Sequence, residues 1–169
     1  HVTTGSNNFV FGDYAGSGAQ TSAPYGSGGR LTVVGSYALG NHVSGDSVTA
    51  IGYSALGVSR SGSYNVAIGD RAMSNSRGSS YNVAIGNLSM YSATTSGYNT
   101  TLGHNALYSA TTGGNNTAVG YRASYYTTTG AQNVAIGLNA MERNVVGSTN
   151  VAIGNEAGRY ATGSNNTFM

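Results

Sequence analysis

The amino-acid sequence predicts an all-β chain wound as a parallel β-solenoid, a β-roll of about nine 17-residue coils, and three observations lead there. The first is a fixed period. A pentapeptide read most clearly as Asn-Val-Ala-Ile-Gly sets its glycine at Gly52, Gly69, Gly86, Gly103, Gly120, Gly137 and Gly154, always 17 residues apart. The register extends back to Gly35 and, after a step of 23, to Gly12. The second is composition: 27 glycines and only 7% charged residues describe a flexible tract, but disorder imposes no register. The third is a second apolar pair at a constant offset beyond each glycine, which gives every coil an opposing wall.

Counting from the anchor glycine as zero, position −1 is Phe11, Val34, Ile51, Ile68, Ile85, Leu102, Val119, Ile136 and Ile153. Position −3 is Val or Phe in five coils and Thr in the other four. Such residues favour strand, and alternate positions share a face, so −1 and −3 are expected to point together into the coil. The glycine then takes the turn. At +3 stands Ala in every coil except at Ser89, and at +4 stand Leu39, Leu56, Met73, Met90, Leu107 and Met141, interrupted by Gly16, Ser124 and Gly158. Nine coils stacked at the strand spacing of roughly 4.8 Å make a rod of about 40 Å. Asn at −4 in seven of the nine coils is expected to form an amide ladder along one corner.

Position −2 alternates with the expected interior set, so it is assigned to the outer face. It is small: Ala50, Ala67, Ala84, Ala118, Ala135 and Ala152, with Val10, Val33 and Thr101. A small-residue stripe there makes these alanines the candidate interface of a parallel homotrimer, since a single thin core is marginal. The alternative is that alanine tolerates a crowded inward position.

The sequence contains no Cys, so neither disulfides nor thiol chemistry enter. Its seven basic residues are scattered arginines and its net charge is +2, a poor footprint for nucleic acid. No apolar run reaches the length of a membrane helix, so no membrane insertion is expected. Asp13 and Asp70 share position +1 three coils apart, roughly 14 Å, too far for a glycosidase pair. Glu142 and Glu156 occupy different columns, and His1, His42 and His104 share none. These patterns point to no catalytic residue, no cofactor and no metal, hence to a protein that is not an enzyme.

Asn65-Val66-Ala67-Ile68-Gly69 with Ala72, and the same motif at Asn133 to Gly137 with Ala140 and at Asn150 to Gly154 with Ala157, resemble the head repeat of trimeric autotransporter adhesins. The segment from Asn116 to Ala123 is similar to long repeats of phage tail fibres. The resemblance covers nearly the whole chain but departs in period, about 14 residues in the adhesins against 17 here. It implies a left-handed β-roll, a homotrimer, an extracellular setting on a virion or bacterial surface, and attachment to a host or cell. Residues 1–169 then form a single repeat array, a segment of a longer fibre, with a six-residue insertion in the loop around 16–30.

Recognition is sought in what varies around the motif. Tyrosines form columns at −5 (Tyr64, Tyr81, Tyr98) and +5 (Tyr91, Tyr108, Tyr125), and Tyr25 stands in the insertion beside Pro24. These seven are the candidate contacts to a surface glycan or protein receptor, the alternative being that stacked rings only support the rod. Paired threonines at Thr94-Thr95, Thr111-Thr112 and Thr128-Thr129 raise a second class, an ice-binding solenoid. A polysaccharide depolymerase with its active site between chains is a third.

Overall fold

The computed structural model describes residues 6–17 and 29–169; Tyr25 and most of the insertion lie outside these. Ten short strands follow one another: β1 Phe9–Phe11, β2 Thr32–Val34, β3 Thr49–Ile51, β4 Val66–Ile68, β5 Val83–Ile85, β6 Thr100–Leu102, β7 Thr117–Val119, β8 Val134–Ile136, β9 Val151–Ile153 and β10 Thr167–Phe168. All join one parallel sheet in chain order, and no described residue is helical. Pairing sets like beside like, as in Val66↔Val83, Ala67↔Ala84 and Ile68↔Ile85. The chain is therefore a β-solenoid whose coils succeed one another about 17 residues apart.

The faces of the strand are the reverse of those expected. Ala50, Ala67, Ala84, Ala118, Ala135 and Ala152 are all 0% exposed within a single chain, so the small column fills the coil and offers no surface to a sister chain. The larger neighbours point outward: Ile153 is 46% and Leu102 50% exposed, and Val66, Ile68, Val83 and Ile85 are half-buried. The cause is the thinness of the coil. From Ala38 to Met141, Ala at +3 and Leu or Met at +4 fill the facing wall at 0% exposure, leaving width for one small strand column. Once −2 points in, alternation turns −1 and −3 out.

Two large residues at −2, Val10 and Phe168, each pack against a glycine at +4. A Cβ on Gly16 would lie 3.4 Å from Cγ1 of Val10, and one on Gly158 would stand 2.5 Å from the ring of Phe168. At these two places core volume is balanced across the roll, as close packing requires.

Strands β1 to β9 each end at an anchor glycine. Gly86 has φ +133°, and a Cβ there would collide with the carbonyl oxygen of Gly103, so no side chain fits between stacked corners. Beyond it the second wall is built from residues in the left-handed region that are mostly not glycine. Arg71 (+2, φ 52°), Met73 (+4, φ 50°) and Tyr81 (−5, φ 60°) typify three columns that repeat along the rod. Each such residue costs about 1–2 kcal/mol. Each also turns its N–H onto a neighbouring coil: Arg71 onto Tyr53 O at 2.8 Å, Met73 onto Ser89 O at 2.9 Å, and Tyr81 onto Ser63 O at 3.0 Å. The hydrogen-bond ladder therefore continues through the turns, offsetting that strain.

The asparagine column is an amide ladder. Asn65 Oδ1 accepts from Asn82 N at 3.1 Å and Nδ2 at 3.2 Å, Asn82 Oδ1 serves Asn99 likewise, and the pattern runs to Asn166. Asn65 Nδ2 in turn donates to Ser79 O at 2.7 Å. Buried amides are thus satisfied between coils.

Candidate ligand-contact surface

Both tyrosine columns are stacked. Tyr64, Tyr81 and Tyr98 follow at 4.9 Å between ring centroids, with interplanar angles of 12° and 2°. Tyr91, Tyr108 and Tyr125 follow at 5.2 and 4.9 Å. The spacing is that of the strands, so rings in one column stack when nothing intervenes. Stacking consumes both faces of Tyr81 and Tyr108, so a ligand beside the rod meets ring edges and hydroxyls there. Tyr98, 63% exposed, ends its ladder. Burial, with Tyr125 and Tyr91 alongside, raises the Tyr108 hydroxyl above its ordinary 10.0.

Column +5 continues past the tyrosines with Glu142 and Arg159. Glu142 is buried and held by two cations, Arg122 at 3.0 Å and Arg159 Nε at 2.7 Å. Arg159 Nη1 also reaches Glu156 at 2.7 Å, so one guanidinium joins the two glutamates that column position had kept apart. The bond to Glu142 holds Arg159 above its usual basicity. Arg122 lies over Tyr125, 4.5 Å from its centroid. At +6, Arg143 stands between the tyrosines of the coils on either side, 5.9 Å from Tyr126 and 5.6 Å from Tyr160. Reading charge by column would have found both groups, because Glu142 and Arg159 share +5, and Tyr126, Arg143 and Tyr160 share +6.

The threonine pairs are in register, but their inner hydroxyls are spent. Thr94, Thr111 and Thr128 donate Oγ1 to the carbonyls of Thr111, Thr128 and Val145 at 2.9, 3.2 and 3.2 Å. His42 is buried 3% exposed, with Nε2 3.2 Å from Gly45 O, and burial lowers its pKa from 6.5. Among the described residues no three His, Asp or Glu side chains converge as metal ligands would.

Comparison with protein-family models, curated proteins and solved structures found no match to this chain.

Proposed function

We propose that this chain is a non-enzymatic segment of an extracellular fibre, on a virion or a bacterial surface, that assembles as a parallel homotrimer and mediates attachment. The observation that supports assembly is the outward stripe formed by positions −3 and −1. It runs from Phe9 and Phe11 through Val66, Ile68, Val83 and Ile85 to Val151 and Ile153 without a charged residue. Eight steps of about 4.8 Å and two columns of side chains give it on the order of 400 Å², the size of a functional patch on a monomer. Covering it on sister chains removes apolar surface from water along the whole rod. The choice of three copies rests on the resemblance to adhesin head repeats, and the attachment role on the aromatic columns, of which Tyr64, Tyr81 and Tyr98 are exposed.

Sedimentation equilibrium tests the assembly. The expected mass is three times the 17.1 kDa of one chain, falling to one in Ile68→Lys/Ile85→Lys with the β circular-dichroism signal retained. A folded wild-type monomer would overturn it. Binding of the labelled protein to cells and to a glycan array tests the attachment role.

A further inference from the structure

We propose that Arg143, with Tyr126 and Tyr160, forms a subsite for the carboxylate of an acidic sugar. Three arginines crowd this end of the +2, +5 and +6 columns, and two are committed: Arg122 and Arg159 both bind the buried carboxylate of Glu142. Among the described residues no carboxylate comes within ion-pair distance of Arg143. Arg143 is exposed, and its guanidinium stands over the rings of Tyr126 and Tyr160, themselves 39% and 66% exposed, while Arg159 also lies over Tyr160, 5.3 Å from its centroid.

The chemistry follows from this placement. A guanidinium presents a planar fork of N–H donors that matches one carboxylate in a bidentate pair, and ring faces on either side limit its rotamers before a ligand arrives. With guanidinium groups over their faces, the two tyrosines offer ring edges and hydroxyls of the kind that meet the hydroxyls of a pyranose. One uncommitted cation flanked by rings suits one carboxylate per sugar unit. A polyphosphate chain calls instead for a row of cations, and the neighbouring arginines are neutralised. The site lies on the turn wall, so it stays open when the strand face is covered.

This deepens the attachment reading by naming a ligand class. The test measures binding of sialyllactose and of trigalacturonate to the purified protein by calorimetry, against lactose and carboxyl-reduced trigalacturonate as neutral counterparts. At least one acidic sugar is expected to bind tenfold or more tighter than its neutral partner, with affinity falling as salt rises. The two acids separate a sialic from a uronic source. Arg143→Gln and Tyr126→Ala/Tyr160→Ala are expected to abolish the preference, whereas Arg60→Gln, an equal charge loss elsewhere, keeps it. Equal affinity for neutral sugars, an unchanged Arg143→Gln, or the same loss in Arg60→Gln would overturn the subsite. Retained binding to other glycans would leave the attachment reading standing; no binding to any arrayed glycan or cell would remove both.

Discussion

Ser89 Oγ and Thr101 Oγ1 lie 2.6 Å apart in the buried interior of the roll, and Thr101 Oγ1 lies 3.2 Å from Val83 O, to which it donates. These two residues are the exceptions in their columns, Ser among alanines at +3 and Thr among mostly alanines at −2. The hydroxyl of Ser89 therefore donates to Thr101, which passes its own proton to the backbone. Thr101→Ala strands a buried donor at Ser89, at a cost of about 1–3 kcal/mol, whereas Ser89→Ala leaves the Thr101 bond to Val83 intact and costs less. The double variant restores the alanine pair of the other coils and is expected to recover most of the loss. Urea melts of the four proteins measure the coupling, and strictly additive costs would disprove it.

The inward direction of position −2 makes a sharp contrast between sequence neighbours. Ala84→Leu adds volume to a filled core and is expected to cost about 1–3 kcal/mol or more. Ile85→Ala removes a half-buried outer side chain and is expected to cost less in an isolated chain, while weakening assembly. Thermal melts at low concentration, paired with sedimentation, read the two effects separately.

The anchor glycines are tested at Gly86, where φ is +133° and a Cβ would run into the carbonyl of Gly103. Backbone strain alone costs of order 1–3 kcal/mol, and Gly86→Ala adds a steric clash, so it is expected to disrupt stacking in the middle of the rod. A melting point for Gly86→Ala close to that of the unaltered protein would contradict this account.

His42 gives the fold a pH dependence of definite sign. Burial lowers its folded pKa below 6.5, so between the two values the unfolded chain binds the extra proton. Its contribution to stability is complete above pH 6.5 and declines as pH falls through the folded value. His42→Ala is expected to flatten the slope of stability against pH below 6.5, measured by urea titration. An unaltered slope would place the titrating group elsewhere.

The period, the glycine corners and the asparagine ladder were legible because each is a column of one residue type with one backbone reason. The inside and outside of the strand were not. Hydrophobicity ranks Ile68 above Ala67 for the interior, but the width left by Met73 on the opposite wall decides for Ala67, and width is not written in the strand itself. The left-handed turn residues were hidden for a related reason: Leu39, Arg71 and Tyr81 are poor signals for positive φ, and only bonds to adjacent coils hold them there. The Glu142–Arg159 pair was present at one offset and needed only charge to be read in columns.

The ladder in which every coil bonds to the next also sets how such a rod responds to force. Its sheet and amide hydrogen bonds run along the long axis, so tension applied between the two ends peels one coil at a time instead of shearing many bonds at once. A 17-residue coil, the sequence separation of successive ladder asparagines such as Asn65 and Asn82, pays out about 60 Å of extended chain in place of roughly 4.8 Å of rod. A solenoid of this kind is thus expected to yield length in steps under load while its remaining coils stay folded.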